Sequence, residues 1–557
     1  MTEGRFTVKN NRMFILLGVI LAMMLSSLDQ TIVSTAMPQI VRELNGLSQL
    51  SWVFTAYMLM STITVPIYGK LSDIFGRRGL YILGIVVFLA GSALSGMSRN
   101  MTQLIIFRGL QGIGGGAMMV NSLALIGDIF PPAERGRWQG LLGGVFGLAS
   151  IAGPFIGGWI TDTFSWRWIF YVNLPIGALA IAVLLSSMPK IARNVKGRSI
   201  DYAGAALIIL GLVPLLLGFV WGGSRYAWDS WEIIMLFGIA IVAIVTFALV
   251  EKKAREPVVS LNLFKNRVFT ISVLTTFLTS MGMFGALLYI PVFAQGVVGV
   301  SATYSGLTLL PLMIAMIVLS AASGQIITKT GKYKLLTVAG MVFTVVGMFL
   351  FSQIGVTTTN LGLSARMIVL GLGLGITMPI FTIAIQSAFG QERLGEVTAG
   401  SQLFRSIGGT VGTAVLGGIM NAQLAKQLAG VANEPFVTTM KQLGPAAAAM
   451  TKINGNTIQG FLTPQGRAQV NAIIAKAPEA VQATLTSSFG HFLDAVKVAF
   501  SHSIDRLFLV GAAIMLVALI AVLFLPEIPL RKTNSPGNGN ADYRPGAGTP
   551  DSSQPRE

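Results

Sequence analysis

Asp29, Arg108 and Gln111 are polar side chains set inside long apolar runs of a chain in which only 11% of residues are charged. An acid beside an arginine can do one kind of chemistry with no cofactor: it can take up and release a proton. Burial favours the neutral acid, and a nearby cation favours the carboxylate. A movement that changes the Asp29–Arg108 separation would therefore load and unload a proton, with Gln111 helping to set the affinity. A plainer reading stays open, a permanent ion pair that serves only helix packing. Arg405, in Gln402-Leu403-Phe404-Arg405, is a second lone charge, with no acid at its own depth in the second half of the chain. It could hold an acidic group of a ligand, shift the affinity of Asp29, or bond to backbone carbonyls. Glu396, near the end of the same apolar segment, reads either as a collector of cations or as a solvated helix-end charge.

The elements that must position these groups are membrane helices. The 557 residues are 53% hydrophobic, with a mean hydropathy of +0.71, whereas soluble domains carry about a quarter charged residues. About 20 apolar residues cross a bilayer as a helix. Fourteen segments fit: 14–37, 51–69, 79–96, 101–125, 138–160, 166–188, 202–221, 231–250, 268–292, 305–327, 335–355, 361–389, 397–420 and 507–525. The fold class is thus an all-α polytopic membrane protein. A six-helix half spans 14–188, a linking hairpin spans 202–250, and a second six-helix half spans 268–525. On this count Asp29 and Arg108 lie at similar depth, where a charge costs roughly 2.5 to 3.5 kcal/mol on insertion scales and must face a partner or a cavity.

Charge placement gives orientation. The net charge of +17 collects in short loops on one face: Lys70, Arg77 and Arg78; Arg135 and Arg137; Lys190 to Arg198; Lys252 to Arg267; Lys329 to Lys334; and Arg393. The opposite short loops offer Arg42, Arg99, Arg167 and Arg225. The positive-inside rule puts the basic face and both termini in the cytoplasm of a cell-membrane protein, so the basic excess speaks against nucleic acid as a partner. The N-terminal run resembles a signal peptide but is too long, contains Asp29 and is followed by further spans. Outside the spans, 421–506 is expected to be a long external loop, with a helical hairpin on the membrane surface. The tail 534–557, rich in Pro, Gly, Ser and Asn, is expected to be disordered.

Several activities lack support. There is no cysteine and only His491 and His502, so a Cys/His metal site and thiol chemistry are not expected. Neither a metalloprotease His pair nor a phosphate-cradling G-x-x-x-x-G-K-[ST] loop occurs. The glycines from Gly109 to Gly116 lie in an apolar run rather than after a strand. The chain is not expected to be an enzyme or to need a cofactor, and the repeat described next disfavours a channel.

Gly69-Lys70-Leu71-Ser72-Asp73-Ile74-Phe75-Gly76-Arg77-Arg78 is a charged knot between two spans, and it recurs. Gly69, Gly76 and Arg77 correspond to Gly324, Gly331 and Lys332, with Thr328 in place of Asp73; downstream, Arg108 and Arg366 each precede a glycine run. Repeated halves with a site between them are a mark of alternating-access transporters. At these residues the chain resembles the major facilitator superfamily, in particular its fourteen-helix branch of drug:proton antiporters. Leu28-Asp29-Gln30-Thr31-Ile32-Val33 resembles that branch's helix 1 motif, and Arg108-Gly109-Leu110-Gln111-Gly112 its helix 4 motif. Gly147 through Gly153-Pro154-Phe155-Ile156-Gly157-Gly158 resembles its helix 5 antiporter motif. The resemblance implies proton-coupled export of lipophilic, often cationic, drugs by a monomer among membrane lipids. It further implies a gate at Gly69, Asp73, Gly76 and Arg77, and a structural, sealing role for Gly153, Pro154, Gly157 and Gly158. Export of a lipid or cell-envelope precursor is the alternative on the same fold.

Overall fold

The computed structural model describes residues 11–44, 49–188, 201–223, 225–254, 256–300, 308–431, 434–442, 464–475, 477 and 479–528. The tail 534–557, the basic loop 190–198 and part of 421–506 lie outside these. A long helix accounts for most of each of the fourteen apolar segments among the described residues. They are α1 (Asn11–Leu44), α2 (Leu50–Phe75), α3 (Arg77–Gly96), α4 (Met101–Ile129), α5 (Pro132–Thr163), α6 (Trp168–Ser187, interrupted at Val172) and α7 (Tyr202–Trp221). After α8 (Trp231–Glu251) come α9 (Arg267–Phe293), α10 (Leu310–Thr330), α11 (Lys334–Phe351), α12 (Asn360–Ser387), α13 (Leu394–Val431) and α14 (Glu479–Leu523). Twelve of them are apolar and long enough to cross a membrane among the described residues.

The starts of these helices are written locally. Asn100 accepts a bond from Gln103 N, Asp201 from Gly204 N, Ser230 from Ile233 N and Thr359 from Gly362 N, each satisfying a donor that an N-terminus leaves free. The outer surface suits lipid: Phe155, Leu148, Ile241 and Val242 are all exposed. Within the bundle α2 packs on α13 and α5 on α10, joining the two halves, while α7 and α8 pack together and α7 touches both α2 and α13.

The repeat is visible in the backbone. Gly76 (φ 92°) turns α2 into α3 and Gly331 (φ 69°) turns α10 into α11, a region in which side chains are strained. A Cβ on Gly112 or Gly116 of α4 would strike the backbone oxygens of Tyr57 and Ser61 on α2; one on Gly371 or Gly375 of α12 would strike those of Leu312 and Met316 on α10. This equivalence aligns Arg108, four residues before Gly112, with Met367 rather than with Arg366. Arg366 instead donates to the carbonyls of Leu350 (2.9 Å) and Gly362 (3.0 Å) near a helix end. One residue along a helix is about 100° of rotation, enough to turn the side chain away from the equivalent position.

The 421–506 stretch also departs from expectation. Its first residues continue α13 to Val431, and α14 begins at Glu479 rather than near 507. Leu424, Leu428 and Val431 of α13 and Leu485, Phe489, Phe492 and Val496 of α14 are buried in one core. Apolar residues three and four apart bury one face of each extension, so neither reads as a span by hydropathy. The short helix Pro435–Gln442 closes this layer, with Phe436 against Phe489 (4.9 Å) and Phe492 (5.0 Å).

Candidate functional site

Arg108 and Gln111 are three residues apart and share one face of α4, which is turned towards α1. The glycine at 112 lets the α2 backbone come close enough to enclose them. Arg108 Nη1 lies 2.5 Å from Asp29 Oδ2 and donates to Gln111 Oε1 at 2.7 Å, while Gln111 Nε2 donates to Asp29 Oδ1 at 2.8 Å. From α6, Asn173 Nδ2 donates to Asp29 Oδ1 and to Ser92 Oγ, both at 3.0 Å, and Ser92 Oγ donates to the Phe170 carbonyl at 2.8 Å. The Arg108 guanidinium sits 4.4 Å over the Tyr57 ring, and the Tyr57 hydroxyl is 3.2 Å from Ser26 Oγ. Asp29, Gln111 and Asn173 are fully buried and Arg108 is 1% exposed. Both carboxylate oxygens are therefore bonded; removing Arg108 would leave the Asp29 charge without compensation in a low-dielectric interior, whereas removing Gln111 or Asn173 would cost it a neutral hydrogen bond. Asn173, Ser92 and Tyr57 were not legible in the sequence; their polar types inside apolar runs were the only signal.

At the basic end of the bundle a charged contact joins α2 and α3 to the start of α13. Asp73 Oδ1 accepts from Gly395 N (3.1 Å) and Asp73 Oδ2 from Glu396 N (2.8 Å), placing a carboxylate on the first turn of α13 where the helix dipole favours it. Arg77 holds that carboxylate from the other side at 2.9 Å, reaches Asp128 at 2.5 Å and donates to Ser72 Oγ at 2.6 Å. A Cβ on Gly69 would overlap Ala399, and one on Gly395 would come 2.6 Å from Gly69 O. Gly324 of α10 meets Gly136 of α5 in the same manner, a second close approach of helix backbones. Glu396 belongs to the same cluster: it is 5% exposed, accepts from Ser260 N (2.8 Å) and pairs with Arg393 (3.0 Å). It is neither a solvated helix-end charge nor a lining residue of the cavity. A second polar layer lies beneath, where Gln386 accepts from Gln139 (3.4 Å) and donates to Thr398 (3.0 Å).

Above that layer, between the halves, is a cavity of about 590 Å³ that runs from Gln139, Thr382 and Gln402 to Gly222, Gly223 and Asn421 at the opposite end. Met23, Met58, Met119, Met283, Met313, Met316 and Met378 line it, supplying soft and adaptable walls. Arg405 lines it too; Asp29 and Arg108 do not. In the helix 5 motif, Gly153 and Gly157 seat α5 on α1, where a Cβ at 157 would come 2.8 Å from Ile32 O, and Thr31 Oγ1 donates to Ala149 O at 3.0 Å. Gly158 faces open space, and Pro154 lies within α5 between them. Among the described residues no cluster could hold a metal ion.

Residues 19–413 match the family model described as Major Facilitator Superfamily. The multidrug transporter protein MdtP of Bacillus subtilis is 43% identical over 534 residues, covering 95% of each chain. Multidrug resistance protein 3 of the same organism is 34% identical, covering 93% of this chain and 96% of that one. Among solved structures, the human organic anion transporter MFSD10 (TETRAN) superposes with a TM-score of 0.55 at 14% identity, over 90% of this chain and 99% of that one. The proton:xylose symporter XylE does so with 0.53 at 15% identity, over 76% and 91%. These last two establish likeness of fold.

Proposed function

The chain belongs to the Major Facilitator Superfamily, and on that premise we propose that it is a proton-coupled antiporter that exports lipophilic small molecules by alternating access. One observation carries the reading: a fully buried acid, Asp29, with all its bonds made to one half of the bundle, stands apart from a cavity that forms between the halves. A proton site and a substrate site that are separate but share moving helices can be linked through the conformational cycle. The relatives named multidrug transporter protein and multidrug resistance protein support drug efflux as the physiological direction.

The cycle follows from the two constellations. With the Asp73 latch made and the Gln139–Gln386 layer closed, the cavity is sealed at the basic end, which the positive-inside rule places in the cytoplasm with both termini. Protonation of Asp29 from outside removes the charge that Arg108 holds, loosens α1 from α4 and favours release of the latch. Opening to the cytoplasm then lets Asp29 discharge its proton and the cavity load substrate. The fourteen helices act as two six-helix halves with the α7–α8 hairpin between them, and one copy of the chain suffices. The test is proton release on substrate binding: purified protein in weak buffer with a pH dye should release protons when a transported compound is added, and Asp29→Asn should release none. Equal release from wild type and variant would remove Asp29 from the mechanism.

A further inference from the structure

We infer that the cavity selects anionic amphiphiles, molecules with an apolar body and one acidic group, which Arg405 binds. The inference rests on the transport reading above and names its substrate class. Among the described residues Arg405 is the sole ionisable one in the cavity wall, with no Asp, Glu or Lys lining it. Its Nε is buried with no hydrogen-bond partner, and among the described residues no acid pairs with its guanidinium. The buried arginines of the two constellations described above each have an acid: Arg108 has Asp29, and Arg77 has Asp73 and Asp128. A guanidinium that is desolvated yet unpaired is costly unless something completes it, and its planar fork matches a carboxylate, sulfonate or phosphate.

The rest of the wall fits the rest of such a molecule. Phe284, Met283 and Leu287 of α9 face the same space as Arg405, with Phe54 and Met58 across from them on α2. Ser406 and Thr410, also on α13, add hydroxyls to the same cavity wall. A lipophilic cation would meet a like charge here with no carboxylate to balance it, so the walls discriminate against it. An acidic drug and an acidic lipid headgroup present the same chemistry, and the experiment separates them.

The test uses the full chain in proteoliposomes and measures counterflow, exchange with no imposed pH gradient, so that substrate recognition is read independently of proton drive. The probes are tritiated taurocholate, tetraphenylphosphonium of comparable lipophilicity, and fluorescent phosphatidylglycerol followed by dithionite quenching. Wild type should exchange taurocholate, phosphatidylglycerol or both in preference to the cation, and which anion moves assigns the source. Arg405→Gln should lower anion exchange about 10- to 100-fold, the loss expected of one charge-assisted bond, and raise or leave unchanged that of tetraphenylphosphonium. Arg405→Lys should restore part of the anion exchange. Thermal melting of both variants checks the fold. Preference of wild type for the cation, undiminished anion exchange by Arg405→Gln, or equal loss for both charges in a protein of unchanged melting would each overturn the inference. If anion exchange depends on Arg405 but an imposed pH gradient never drives accumulation, the proton reading fails and this one stands.

Discussion

Replacing Asp73 by Asn should unlatch the basic end of the bundle. The wild-type carboxylate accepts two backbone N–H groups from the first turn of α13 and an ion pair from Arg77. Asparagine keeps one acceptor oxygen and turns an NH₂ towards groups that are themselves donors. The loss is at least one charge-assisted hydrogen bond, about 1.5 to 3 kcal/mol, plus the helix-end interaction of about 0.3 to 1 kcal/mol. Roughly 2 to 4 kcal/mol off the closed state corresponds to about a 30- to 700-fold shift. A bundle closed about 99 times in 100 would then be open for roughly a quarter to nine tenths of the time. The chain has no cysteine, so Gly79→Cys and Lys332→Cys give a spin-label pair across the latch with no background sites. Gly79 has nothing within 4 Å of an added Cβ, and Lys332 is exposed. Pulsed electron–electron double resonance should show a single short distance in the parent and, with Asp73→Asn, a second, longer one holding roughly a quarter to nine tenths of the molecules, while substrate still binds. Identical distance distributions would refute the latch.

Three further outcomes follow from the packing. Gly157→Ala should lower the melting temperature in detergent, at a cost of about 1 to 3 kcal/mol because the Ile32 carbonyl is backbone and cannot yield; Gly158→Ala, facing open space, should be neutral or slightly stabilising by helix propensity. Arg366→Gln should leave transport intact, because among the described residues Arg366 bonds only to helix-end carbonyls; Arg108→Gln should abolish proton-driven transport, and similar activity in the two variants would contradict the difference between them. Lys70→Ala breaks the partly exposed pair with Glu256, worth about 0.2 to 1 kcal/mol, so its spin-label distances should match the parent rather than Asp73→Asn.

Charges in apolar sequence were the legible part of this protein. Asp29, Arg108 and Gln111 stood out because so few polar groups interrupt the spans, and the structure brings these three together. Their further partners did not stand out. Asn173 reaches Asp29 only because α6 packs beside α3 and α1, and Asp128 reaches Arg77 across a helix end; neither contact follows from spacing along the chain. Arg366 shows the opposite error, in which similar surroundings hid a one-residue change of register that only the glycine contacts of α12 with α10 reveal. The extensions of α13 and α14 escaped a hydropathy reading because each is apolar on one face. Arg405 was visible as a lone charge, yet its position in a wall free of carboxylates depends on how α13 is rotated against α2 and α9.

The account turns on Asp29, and the most direct measurement is accumulation of a transported compound in proteoliposomes under an imposed pH gradient, with counterflow as the control. Wild type should accumulate the compound against its gradient, and Asp29→Asn should retain counterflow but accumulate nothing. Gradient-driven accumulation by Asp29→Asn at a rate near that of wild type would contradict the account.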